Sequence, residues 1–136
     1  MLNFPIDWTD KLASKPICGV LAIAVIANVS FEEATSAIKA NMMPFQKRHG
    51  GRTYHEQRIG ALKQLGVDFH DQTWDKITLN RFITGAAQTD TLYMINVTGH
   101  VIVYKDGYVL DQRGCVPYEE YPNKRQFIRN VTRIKQ

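Results

Sequence analysis

Residues 92–111 read LYMINVTGHVIVYKDGYVLD, and the period of this stretch decides the fold. Leu92 to Val97, Val101 to Lys105 and Tyr108 to Asp111 are rich in β-branched and aromatic residues, which suit a pleated, half-buried surface. Thr98-Gly99 and Asp106-Gly107 separate the three runs, and a two-residue Asp-Gly connection matches the twist of a hairpin. An antiparallel meander is expected. With Asp106-Gly107 as a type I′ turn, Lys105 pairs with Tyr108 and Ile102 faces Asp111. His100 then lies diagonal to Asp111 on the same sheet face. A loop of odd length would send Asp111 to the opposite face.

On the N-terminal side the pattern is helical. Ile17 to Ala27 is apolar with Ala at 22, 24 and 27, and Pro16 is a favourable first-turn residue, so Cys18 falls in the first turn of a buried helix. Ser30 followed by Glu33 forms a capping-box pattern for a second helix from about Phe31 to Asn41, with Pro44 beyond it. Thr53 with Glu56 repeats that pattern, and Ile59, Leu62 and Leu65 recur at helical spacing up to Gly66. A short strand at Val67 to His70 and a short helix from Leu79 to Thr84, capped by Thr78, complete this part.

On the C-terminal side, Gly114 to Lys124, with Pro117 and Pro122, reads as loop, and Phe127 to Ile134 as one more strand. Arg125, Arg129 and Arg133 would share a face of that strand, where charge guards a solvated edge. Helices first and strands after imply an α+β layout in a single domain covering 1–136.

Composition narrows the function classes. The chain is 44% hydrophobic and 22% charged, which excludes disorder, and no solenoid-period repeat is present. A net charge of +4 is short of a dedicated nucleic-acid binder. Ile17 to Val29 is too short to span a bilayer, and Asp7 and Asp10 sit where a signal peptide needs basic residues, so no membrane role is expected. Two cysteines, Cys18 and Cys115, do not make a disulfide framework, so a cytoplasmic or phage-type intracellular setting is the expectation. His49, His55, His70 and His100 lack paired ligand spacing and no glycine-rich nucleotide motif occurs; no metal or cofactor is implied.

The chemistry-bearing constellation is Cys18 at a helix start, His100 opening a strand and Asp111 on the next strand. Unpaired N–H groups and partial positive charge at a helix N-terminus favour a thiolate and can hold an oxyanion. A carboxylate bonded to the far nitrogen of an imidazole fixes its tautomer and orients it as a base.

Pro16-Ile17-Cys18-Gly19 leading a small-residue helix, Gly99-His100-Val101-Ile102-Val103-Tyr104 and Val109-Leu110-Asp111 occur in an order that resembles the papain-like cysteine peptidases. The nearest branch is the compact one that includes the double-glycine leader peptidases. The resemblance implies a papain-like fold, with the cysteine helix packed on a C-terminal antiparallel sheet. It also implies Cys18, His100 and Asp111 as nucleophile, general base and orienter, acting on a peptide or isopeptide bond of a protein or peptide substrate. One element of the family pattern is missing: the glutamine that completes the oxyanion hole a few residues before the cysteine. Position 12 is Leu, no Gln precedes Gln46, Asn3 is the only amide side chain upstream of Cys18, and Lys15 is the nearest cationic substitute.

Plainer readings stand beside this one. Free cysteine is among the most buried residue types, and Asp111 is placed to bond the turn beyond it. The rival functions are a noncatalytic papain-like scaffold that binds protein, and a papain-like deamidase or acyltransferase using the same three groups.

Overall fold

In the computed structural model the described residues are 18–46, 53–111 and 113–135. Pro16, Ile17, Asn3 and Lys15 lie outside them, as does His49. The architecture is α+β: four helices and a six-stranded, fully antiparallel sheet among the described residues. In chain order the elements are α1 (Cys18–Ala27), α2 (Phe31–Ala40), α3 (His55–Gln64), β1 (Phe69–Thr73), α4 (Leu79–Gly85), β2 (Leu92–Val97), β3 (His100–Lys105), β4 (Tyr108–Asp111), β5 (Gly114–Pro117) and β6 (Ile128–Ile134). A 3₁₀ turn, Tyr118–Glu120, follows β5.

Each helix starts and stops for a local reason. Asn28, at φ 55°, takes the left-handed conformation that ends α1, and the Val29 N–H donates to the Ala24 carbonyl at 3.1 Å. The Ser30 hydroxyl accepts from the Glu33 N–H at 3.0 Å and opens α2 as its sequence pattern predicts. At α3 the expected Thr53 cap is replaced. The helix begins one residue later, with Tyr54 at the cap position and the Gln57 side chain accepting from the Tyr54 N–H at 3.2 Å. Gly66, at φ 78°, closes α3, with the Val67 N–H donating to the Leu62 carbonyl at 3.0 Å. Thr78 caps α4 by accepting from the Arg81 N–H.

The meander has the predicted register. Lys105 pairs with Tyr108, Tyr104 with Val109 and Val103 with Leu110, while Asp106 and Gly107 both have positive φ, 46° and 87°, as a type I′ turn demands. β3 starts one residue earlier than its composition indicates, because His100 pairs with Val97. Three expectations are corrected. β1 covers Phe69–Thr73 rather than Val67 to His70, since its partner residues on β6 run from Ile134 to Asn130. Gly114 to Lys124 is not all loop: Gly114–Pro117 pairs along β4. The C-terminal strand is not an edge, because the sheet order is β1-β6-β2-β3-β4-β5 and β6 is bonded on both sides.

Both sheet faces are covered, which is why the central strands read as nearly continuous apolar runs. Leu92, Met94, Val101, Val103, Leu110 and Ile134 pack with α1, α2 and α3. Tyr93, Ile95, Ile102, Tyr104, Val109 and Val131 pack with Leu79 and Phe82 of α4 and with Tyr121. Helix α1 is buried almost along its whole length. Among the described residues no single helix is long and apolar enough to cross a membrane; α1 and α2 pass by composition only as a pair, and they meet at 111°.

Candidate functional site

Cys18 is the first residue of α1 and half-buried, a free thiol, so no bridge to Cys115 occupies it. The helix starts under a tight constraint. A Cβ at Gly19 would collide with the Thr53 side chain, so only glycine lets residues 53 and 19 come together. Thr53 is itself held by Arg58 of α3, whose Nη1 donates to the Thr53 carbonyl at 3.1 Å and to its hydroxyl at 2.7 Å.

His100 opens β3 after the Thr98-Gly99 turn, where Gly99 takes φ 72°. Its Nε2 is 3.2 Å from Asp111 Oδ2. A carboxylate only accepts, so Nε2–H donates. Asp111, at the end of β4, is 5% exposed and also bonds the turn beyond it: its Oδ1 accepts from the Arg113 N–H at 2.8 Å and its Oδ2 from Arg113 Nη2 at 2.9 Å. The diagonal relation that the hairpin parity predicts is therefore realised as a side-chain contact.

Electrostatics follow from this geometry. Burial pushes the Cys18 thiol up, but the His100 hydrogen bond, the Val101 N–H and the charges of His100 and Arg58 outweigh it, and the thiol lies below its ordinary value. His100 is raised from 6.5 to about 9, first by its hydrogen bond to Asp111 and next by that to Cys18. Burial disfavours the Asp111 carboxylate, yet His100 and Arg113 together hold it down at about 2. At neutral pH His100 is an imidazolium and Asp111 a carboxylate, and the Cys18 thiolate is favoured relative to an isolated thiol.

Cys18 and His100 open into a cleft of about 350 Å³, walled on the far side by Thr53, Tyr54, His55 and Arg58 and reached by Arg129 from β6. Tyr54 continues to Phe45 in an edge-on aromatic pair, centroids 5.0 Å apart, both rings exposed. Tyr118, Tyr121 and Phe127 do not line it; Tyr121 packs in the core and Phe127 is exposed.

Sequence reasoning missed Arg58 and the His55 pair. Arg58 is 4% exposed on the face of α3 that also buries Ala61 and Leu62. Its spacing of three and four from those residues was the available signal, a charge inside an apolar stripe. His55 is the first residue of α3, and its Nε2 lies 2.8 Å from Asp71 Oδ2. The other Asp71 oxygen accepts from the Thr132 hydroxyl at 2.8 Å. Among the described residues no group of three or more His, Cys, Asp or Glu side chains is arranged to hold a metal ion.

No protein-family model matches the chain, and no curated protein matches it.

Proposed function

We propose that this chain is a cysteine peptidase-like thiol hydrolase of papain-like arrangement, with Cys18 as nucleophile, His100 as general acid and base, and Asp111 orienting the imidazole. The single observation that carries the reading is the meeting of the three groups: Cys18 and His100 line one cleft, and His100 Nε2 lies at 3.2 Å from a buried Asp111. A sheet histidine satisfied by its neighbours needs only the second contact. A thiol at a helix start, facing the same cleft as the ring, adds what acyl transfer requires.

In this mechanism the Cys18 thiolate attacks the carbonyl carbon of an amide and the carbonyl π electrons move to oxygen. The oxyanion faces the backbone N–H groups at the start of α1. Collapse of the adduct expels the amine, which takes a proton from His100 as the C–N bond breaks. A water then attacks the thioester, giving its proton to His100, and the acid and the thiolate are released. Asn3 and Lys15, the substitute donors named from the sequence, lie outside the described residues, so the helix N–H groups carry the oxyanion in this account.

Incubation with a peptide mixture, followed by acid quench and intact-mass measurement, tests it. The expected result is an acyl adduct on Cys18, together with cleaved peptides, that is absent from Cys18→Ala and forms much more slowly in His100→Ala. A mass gain of about 1 Da on a protein substrate without cleavage would assign deamidation instead. No adduct under any condition would leave a scaffold.

A further inference from the structure

The cleft beside Cys18 has a pronounced charge asymmetry. Among its described lining residues there are two arginines, Arg58 and Arg129, and two imidazoles, and no Asp or Glu. Arg58 is the unusual one. It is 4% exposed, fixed by its Nη1 to Thr53, and its Nε is buried with no partner among the described residues. It forms no ion pair among those residues either: Asp71 is engaged by His55 and Thr132, and Asp111 by His100 and Arg113. A buried cation without a carboxylate partner is costly to keep. Burial lowers its pKa to about 10, still well above neutrality, so the charge persists.

We propose that Arg58 seats a carboxylate of the substrate next to the carbonyl that Cys18 attacks. This rests on the reading of Cys18 and His100 as an acyl-transfer pair and adds the class of compound they act on. Guanidinium groups are suited to carboxylates because several N–H donors point the same way from a planar, permanently charged group. Thr53 holds the near end of that group against Gly19, so the bound carboxylate sits at the start of α1, beside the nucleophile. Arg129, exposed on β6 at the mouth of the cleft, adds attraction for the same charge on its way in. The substrate carries its carboxylate either as a free C-terminus or as an Asp or Glu side chain beside the scissile bond.

Two alkylating reagents of nearly equal size test the idea without knowledge of the natural substrate. Iodoacetate and iodoacetamide each form an S–C bond to Cys18 and release iodide, and differ only in a carboxylate against an amide. Rates at Cys18, read by peptide mass at one neutral pH, give a preference ratio in which thiolate population and the His100 charge cancel between variants. The ratio should fall roughly tenfold in Arg58→Gln and recover in large part in Arg58→Lys, as expected for a charge–charge contact at partly buried positions. An unchanged ratio in a folded Arg58→Gln overturns the proposal. Failure of both reagents to label wild-type Cys18 below the ordinary thiol pKa would instead overturn the acyl-transfer reading itself. A second measurement needs no variant: protection of wild-type Cys18 from iodoacetamide by trialanine, by trialanine amide, and by trialanine amide with Asp at its third position. Protection by the free acid assigns the C-terminal carboxylate, and protection by the Asp-containing amide assigns the side chain. Equal protection by all three overturns the proposal.

Discussion

Replacing Asp111 by Asn removes the charge behind His100 while keeping an acceptor for the Arg113 N–H. In the wild type His100 is lifted from 6.5 to about 9, and the bond to Asp111 is the largest cause, ahead of the bond to Cys18. Loss of that bond should lower the His100 pKa by roughly 1–2 units, the usual effect of one adjacent opposite charge. One unit corresponds to about 1.4 kcal/mol. The ring is 21% exposed, so solvent screening reduces the stability difference to about 1–2 kcal/mol. The sign is set by both partners. A raised histidine pKa stabilises the fold fully below 6.5 and loses that contribution as pH rises through about 9. A depressed Asp111 pKa stabilises it above the ordinary 3.8 and loses that contribution as pH falls through about 2. The stability gap between wild type and Asp111→Asn should therefore be widest between pH 3.8 and 6.5 and narrow beyond pH 9. NMR titration of the His100 ring, with urea unfolding at several pH values, measures both quantities. A His100 that still titrates near 9 in the variant, or a gap independent of pH, would refute the reasoning.

Two further substitutions test the geometry that positions these groups. Gly19→Ala should cost about 1–3 kcal/mol in urea unfolding, because its Cβ meets the Thr53 side chain, and Thr53→Ala in the same chain should recover part of the loss; an unchanged midpoint would contradict the close approach. Gly107→Ala puts a side chain at φ 87° in the turn that sets the β3–β4 register, and about 1–2 kcal/mol should be lost, with a matching fall in melting temperature as the check.

What could be read from the residues was short-range. Asp106-Gly107 announces a turn whose two positive φ angles fix the register, and the register alone brings His100 and Asp111 together. Ser30 and Thr78 are caps because, among the described residues, their hydroxyls accept only from the N–H three residues on. Thr53 fits the same pattern and fails as a cap because its hydroxyl accepts from Arg58 and its side chain packs over Gly19, the second a contact from a distant part of the chain. Long-range order was illegible for the same reason. No local signal in residues 128–134 says that they enter between β1 and β2, so the arginines on β6 looked like guards of an open edge. β5 is hidden by Pro117, which stands at its last residue, where the lost N–H matters least. At the site, the thiol, imidazole and carboxylate are residue types that draw notice, whereas Arg58 is a charge whose meaning appears only once α3 turns it inward.

The most direct test of the central claim is the pH dependence of Cys18 alkylation by iodoacetamide in the wild type and in His100→Ala. If the thiol and the imidazole are partners, the wild type labels as a thiolate well below the ordinary thiol pKa of about 8.5. Without the ring the midpoint then moves up. Two coincident curves with midpoints at or above about 8.5 would contradict the account, because the thiol would then owe nothing to the imidazole beside it.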